Sequence, residues 1–357
     1  MQINNFFDFA TDESTQDAFF AWCANWANYD NGLAKLGRDF VRLVSDIEDV
    51  RWVRVYQQYK KIDVLLIVNG STAVIIEDKV YSSEHDDQIR KYKAALEKTT
   101  ARGVISIYGE EYAVSEIKTV YLKTGNFYPD DLETQSHTDI VNKTIKRKDL
   151  AELLFPYIHQ SEIVRGFYDR LMHIGEWYRR YEGYYRSGDF NRAFSESYGQ
   201  YFCFLELFGE REMLGGIPGK VRISCKSSSG SPYTWAWLWG RDDLCWLGYR
   251  LSKFSGGYAV SLRLYFECGE ELRQDKYRLY SGAKELFAGL CAGHGYKDWV
   301  FCSRNREEQR ENEIARLYIN AETFPLLPEL YPLARELFIL AVSGNLPFIS
   351  RNAGAGL

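Results

Sequence analysis

Asp63, Glu77 and Lys79 place two carboxylates and an amine within a short span of the chain. Two carboxylates suit a hard divalent cation such as Mg²⁺, which takes oxygen ligands and keeps several waters. A cation held there lowers the pKa of a coordinated water and neutralises charge building on a phosphate. A lysine beside it holds the water or a phosphate oxygen. The chemistry that fits this set is phosphodiester hydrolysis.

The elements that must position these groups are legible nearby. In KKIDVLLIVNGSTAVIIEDKV, two apolar runs flank Asn69-Gly70 and carboxylates stand at their outer ends. Charge at the ends of an otherwise buried hairpin is unfavourable unless it is paired or binds a cation. Residues two apart in a strand share a face, so Glu77 and Lys79 point one way and Asp78 the other. A two-residue Asn69-Gly70 loop would pair Asp63 with Ile76. A three-residue loop, Asn69 to Ser71, pairs Asp63 with Glu77, and this longer, bulged connection is the expectation. Upstream, residues 12–29 read as a helix capped by Asp12 or Thr11, with Phe19, Phe20, Trp22, Cys23 and Trp26 apolar and Glu13 and Asp17 one turn apart. A second helix is expected over 32–47 and strands over 51–59, 62–68 and 72–79. A helix follows from Ser82 to about Lys98, then a strand over 118–123. Gln88 and Tyr92, at i and i+4, share a face of that third helix.

Asp63, thirteen residues, then Glu77-x-Lys79 resembles the signature of the PD-(D/E)XK nuclease superfamily. The order α-β-β-β-α-β is also the core that superfamily shares. The resemblance implies Asp63 and Glu77 as metal ligands, Lys79 as the catalytic lysine, and Glu13 as the further acidic ligand from the first helix. Gln88-x-x-x-Tyr92 is similar to the QxxxY motif of the RecB-like branch, where this helix helps position metal-site groups and DNA. IEDK followed by SSEHDDQIRKY is similar to a bacterial subgroup of the superfamily. Ile62 stands where the family name has proline. The resemblance covers about residues 10–125. It implies a Mg²⁺- or Mn²⁺-dependent hydrolase acting on nucleic acid, DNA rather than RNA. The alternative is a catalytically inactive nuclease-fold module that binds DNA or a protein partner.

The remainder of the chain bounds these expectations. The 357 residues predict two domains, a nuclease-like core over 1–160 and a C-terminal domain over 161–357. The fold class expected is α/β, a restriction-endonuclease-like mixed sheet flanked by helices, with a C-terminal α+β domain. Strands over 232–239, 244–251 and 258–267 form an antiparallel meander in that domain, and Trp235, Trp237 and Trp239 alternate along the first. That domain is expected to supply specificity, partner binding or homo-oligomerisation. A net charge of −5 excludes a histone-like basic coat but not a local basic groove. The seven scattered cysteines read as reduced core residues, and the histidines lack zinc spacing. No apolar run approaches the ~20 residues of a membrane span, and MQINNFFDFATDE lacks signal-peptide features, so a cytoplasmic protein without membrane contact is expected. The basic run Lys143, Lys146, Arg147, Lys148 reads as a solvated turn, and His85 as a surface histidine.

Overall fold

The computed structural model describes residues 5–80, 87–99, 103–126, 140–208, 222–228, 231–241, 245–254, 256–266, 273–302 and 311–342. Ser82, His85 and the side chain of Trp239 lie outside the described residues. The chain divides into two compact units, Met1–Trp177 and Tyr178–Leu357.

The first unit is built on a five-stranded mixed sheet in the order β1-β2-β3-β6-β7. These strands are β1 (Val53–Tyr59), β2 (Ile62–Val68), β3 (Thr72–Lys79), β6 (Glu116–Lys123) and β7 (Lys143–Lys146). β1, β2 and β3 run antiparallel, and β6 and β7 join them in parallel. A separate hairpin, β4 (Val104–Ile107) with β5 (Glu110–Ala113), stands between β3 and β6 in the chain. The helices are α1 (Glu13–Asn25), α2 (Ala34–Ser45), α3 (Gln88–Thr99), α4 (Arg147–Leu154) and α5 (Glu162–Arg186).

The hairpin carries the three-residue connection. Val68 pairs with Thr72 and Val64 with Ile76, so the next step of the ladder is Asp63 opposite Glu77. Asn69 and Gly70 both sit at positive φ, 52° and 76°, and the Ser71 amide donates to the Val68 carbonyl at 3.2 Å. A two-residue turn would have moved every side chain of β3 to the other face.

Both faces of the sheet are covered. Val64, Leu66, Val68, Val74, Ile76, Val120 and Leu122 pack with α1, α2, α4 and the first half of α5. Leu65, Ile67, Ala73 and Ile75 pack with Leu96 of α3 and with Ile105, Ile107 and Tyr112 of the β4–β5 hairpin. This two-sided burial explains why β2 and β3 read as continuous apolar runs rather than alternating ones. Asp12 occupies the N-cap of α1, but its side chain makes no capping hydrogen bond. α1 passes into a 3-10 turn at Trp26–Asn28, over which α2 crosses at Gly37; a Cβ there would lie 2.2 Å from the Ala27 amide nitrogen. One element goes beyond the expectations and one differs from them. The β4–β5 hairpin was not foreseen, and Lys143–Lys146 is a strand paired with β6 rather than a solvated turn.

The second unit holds a six-stranded antiparallel sheet in the order β12-β13-β11-β10-β9-β8. Its strands are β8 (Arg222–Ser228), β9 (Ser231–Arg241), β10 (Cys245–Phe254), β11 (Gly257–Phe266), β12 (Val300–Phe301) and β13 (Glu311–Ile319). The helices are α6 (Phe190–Ala193), α7 (Ser197–Phe208), α8 (Arg273–His294) and α9 (Leu330–Val342). The expected meander is β9-β10-β11, with Trp235 and Trp237 stacked at 4.2 Å. The division at Trp177 falls inside α5, later than the 160/161 boundary expected from the sequence. The first half of that helix contributes Val164, Phe167 and Leu171 to the first core. No helix among the described residues is long and apolar enough to cross a membrane.

Candidate active site

β3 and β6 run parallel and end together, with Glu77 opposite Tyr121 and Lys79 opposite Lys123. The carboxyl ends of such strands are where open α/β sheets present ligands. Charged side chains gather here because β3 continues its apolar run, buried throughout, into Glu77-Asp78-Lys79.

Glu77 is 0% exposed, and Lys79 6%. The Lys79 Nζ lies 2.6 Å from Glu77 Oε1 and 3.7 Å from Glu13 Oε2. Lys79 also donates to the Asp78 carbonyl at 3.0 Å. Asp63 reaches back along the sheet, and its Oδ2 accepts from the Asp78 amide at 3.0 Å. The charge of Asp63 acts on Glu77. Glu13 enters from the first turn of α1, and its Oε1 accepts from the Val80 amide at 3.2 Å.

Asp78 faces α1, as strand alternation requires. Its Oδ2 accepts from Gln16 Nε2 at 2.9 Å, and Gln16 Oε1 in turn accepts from the Thr124 hydroxyl at 2.8 Å. Gln58, at the end of β1, links two carboxylates, donating to Asp17 at 3.3 Å and to Asp63 at 3.4 Å. Gln58 holds a positive φ of 52°, a conformation that a non-glycine residue adopts under strain. Gln88 donates to the Tyr92 hydroxyl at 3.4 Å across one turn of α3.

The charge balance is lopsided. Burial, then the charge of Asp63, pushes the Glu77 carboxyl up to about 8. Burial, then Asp63, pushes Asp17 up to about 7. Burial raises Asp78 well above the carboxylate range, and Asp17 adds to the shift. Burial lowers the Lys79 ammonium, but Glu77, Asp63 and Glu13 outweigh it and raise it. Burial raises Tyr92, and the charges of Glu77 and Asp63 raise it further, which places its hydroxyl in the field of the cluster.

The group therefore contains Asp63, Glu77, Lys79 and Glu13, with Tyr92 and Gln88 on the adjoining helix. The sequence places Asp17 one turn from Glu13, and it does not mark Gln16, Gln58 or Thr124. Gln16 meets Asp78 and Thr124 across 62 and 108 residues of chain, and Gln58 meets Asp17 across 41, so no local pattern reveals those contacts.

The donor set fits a hard divalent cation. It consists of carboxylate oxygens, the ligands of Mg²⁺ and Mn²⁺, with no thiolate or imidazole among the contacts above. Among the described residues, no three or more His, Cys, Asp or Glu side chains form a ready-made metal cage. Mg²⁺ needs none, since it binds through one or two carboxylates and retains its waters. Asp17 Oδ1 and Asp78 Oδ1 are buried without a hydrogen-bond partner among the described residues. Such oxygens are unfavourable when ionised, so a proton or a cation is what favours them here.

No curated protein and no solved structure matches the chain. Residues 4–180 match the model of one family, the PD-(D/E)XK nuclease superfamily. That segment holds the five-stranded sheet and every site residue named above, and it belongs to the PD-(D/E)XK nuclease superfamily.

Proposed function

We propose that the protein is a divalent-metal-dependent nuclease that hydrolyses phosphodiester bonds in DNA at the Asp63–Glu77–Lys79 cluster. The observation that carries this reading is the excess of buried carboxylate around Lys79, with Glu77 fully enclosed and raised to about 8. Asp63 and Glu77, with Glu13, would hold Mg²⁺ or Mn²⁺. When bound, the cation supplies an activated water and charge neutralisation at the phosphate.

The chain's own residues do the rest. Lys79, held by Glu77 and Glu13, orients the nucleophilic water or a phosphoryl oxygen and stabilises charge on the phosphate in the transition state. The Asp78 amide fixes the carboxyl of Asp63, and the Val80 amide fixes that of Glu13, so neither must reorganise during reaction. Gln88 and Tyr92, paired on the adjoining helix, would brace the cluster.

The test compares wild type with Asp63→Ala and Lys79→Ala on single- and double-stranded DNA, with Mg²⁺ or Mn²⁺. Equal cleavage by all three defeats the proposal. A second reading, an inactive binding module, draws on one observation. The Lys79 ammonium already sits against Glu77 at 2.6 Å, in the place of a cation. Calorimetric titration with Mn²⁺ separates the two, since the inactive module shows no binding that depends on Asp63 and Glu77.

A further inference from the structure

The tips of two hairpins in the first unit carry residues that turn geometry disfavours. Lys60 and Lys61 form the two-residue turn between β1 and β2, at φ of 53° and 71°. Tyr108 and Gly109 form the turn between β4 and β5, at φ of 49° and 89°. Turns of this kind need positive φ at both positions and favour Asn-Gly. Two lysines and a bulky tyrosine there are strained. Burial does not offset that strain, because Tyr108 is 80% exposed and both lysines are exposed.

The two tips adjoin. The Tyr108 ring meets Tyr59 edge-on at 5.6 Å and Tyr56 at 6.0 Å. The Tyr59 hydroxyl reaches the Ser106 carbonyl at 3.4 Å, tying the hairpins together, and Lys60 Nζ lies 5.6 Å from the Tyr59 ring centre. The nearby acid Glu110 is engaged by Arg54 at 3.4 Å and by the hydroxyls of Tyr56 and Tyr112, while Glu111 is exposed. The surface also adjoins the carboxylates. Lys61 stands two residues before Asp63, and Gln58, beside the same turn, donates to Asp63. Tyr92 packs in the same cluster as Tyr56 and Tyr59.

We propose that Tyr108, Tyr59, Lys60 and Lys61 form a landing surface for an unpaired nucleic acid strand, and so make a single-stranded segment the substrate beside the Asp63–Glu77 site. The inference rests on the nuclease reading for its placement next to the chemistry. An exposed aromatic ring flanked by ammonium groups offers a base a stacking face and offers phosphates a charge. A duplex hides its base faces, so only an unpaired strand uses both.

The experiment measures fluorescence anisotropy of a labelled 20-nucleotide oligo-dT, and of a duplex of equal length, with the full chain in EDTA. The oligo-dT is expected to bind more tightly than the duplex. Tyr108→Ala should weaken oligo-dT binding roughly tenfold, leave duplex binding unchanged, and be rescued by Tyr108→Phe. The double variant Lys60→Gln/Lys61→Gln should weaken both ligands and flatten the salt dependence, by about 0.7 per lost contact for the single strand. Tyr108→Asn relieves the strained turn, so it should unfold at a higher temperature while losing the same affinity; weakened binding then cannot be misfolding. Oligo-dT binding equal to wild type in Tyr108→Ala and Tyr108→Asn, or no preference over the duplex, overturns the proposal. These measurements need no cleavage. A failed landing surface is thus distinct from a failed nuclease reading, which shows as Asp63→Ala and Lys79→Ala cleaving like wild type.

Discussion

Glu77 and Glu313 are both strand glutamates with little solvent access, yet their surroundings neutralise them to opposite degrees. Glu313 accepts from Arg263 at 2.6 Å and from Arg316 through both oxygens at 2.8 and 3.0 Å, with the Cys302 thiol at 3.1 Å. Two guanidiniums serve one carboxylate, in the fork geometry that suits bidentate pairing. Around Glu77 the ratio inverts. Lys79 is shared with Asp63 and Glu13, and the raised carboxyls of Asp17 and Asp78 stand close by. A carboxylate so fully partnered holds a sheet together. A cluster short of positive charge is suited to receive it, and the family match falls on the unit holding that second kind.

The largest expected effect separates the clusters by activity. Lys79→Ala and Asp63→Ala should each lower the cleavage rate by roughly 10²–10³ or more, the range for removing a group aimed at transition-state charge. Glu313→Ala should leave the rate per folded molecule within about twofold. A comparable loss in Glu313→Ala would break the distinction.

Stability should rank them the other way. Glu313→Ala leaves two partly buried guanidiniums without their acceptor and should destabilise its unit by about 3 kcal/mol, measured by urea unfolding. Asp78→Asn removes a fully buried acid whose Oδ1 lacks a partner, while keeping the oxygen that accepts from Gln16. It should stabilise the metal-free chain at pH 8 by about 1 kcal/mol. Destabilisation by Asp78→Asn would mean that the carboxylate is structural.

The pH dependence follows from Glu77 and Asp17, whose folded values of about 8 and about 7 lie above the ordinary carboxylate range. A raised folded pKa means that the native state holds protons longer than the unfolded chain. The associated stability is fully present below about pH 4 and is lost as pH rises through 7 to 8. In EDTA the first unit should therefore weaken between pH 5 and pH 9, followed by urea unfolding at each pH. Mg²⁺ or Mn²⁺ should reduce that fall. Stability that rises over this interval in EDTA would contradict the assigned charge excess.

The sequence disclosed what local rules govern. The Asn69-Gly70 signal, the alternation at Glu77-Asp78-Lys79 and the two apolar runs set the hairpin and its register, and these are nearest-neighbour matters. Short elements stayed hidden. Lys143–Lys146 holds one buried apolar residue, Ile145, so its pattern reads as a basic turn until β6 is there to pair with it. The β4–β5 turn escaped because Tyr108 stands where Asn is the usual signal. The support for the site escaped for a different reason. Gln16 meets Asp78 and Thr124 only once the sheet and α1 have packed, and the raised pKa of Asp78 is a product of that burial.

The smallest effect concerns the Gln88–Tyr92 pair, which resembles a motif yet meets at 3.4 Å, the weak end of hydrogen-bond geometry. Tyr92→Phe keeps the ring that packs beside Tyr56 and Tyr59 and deletes only the hydroxyl in the field of Glu77 and Asp63. If that hydroxyl merely braces the cluster, the variant should cleave within about threefold of wild type. Gln88→Ala should match it, since each removes the same contact, and the double variant should be no worse than either single one. Multiplied losses in the double variant would instead give the two residues separate contacts with the substrate. The substrate surface at the end of β3 would then extend onto α3, along a longer strip of the protein than the Lys79 contacts alone imply.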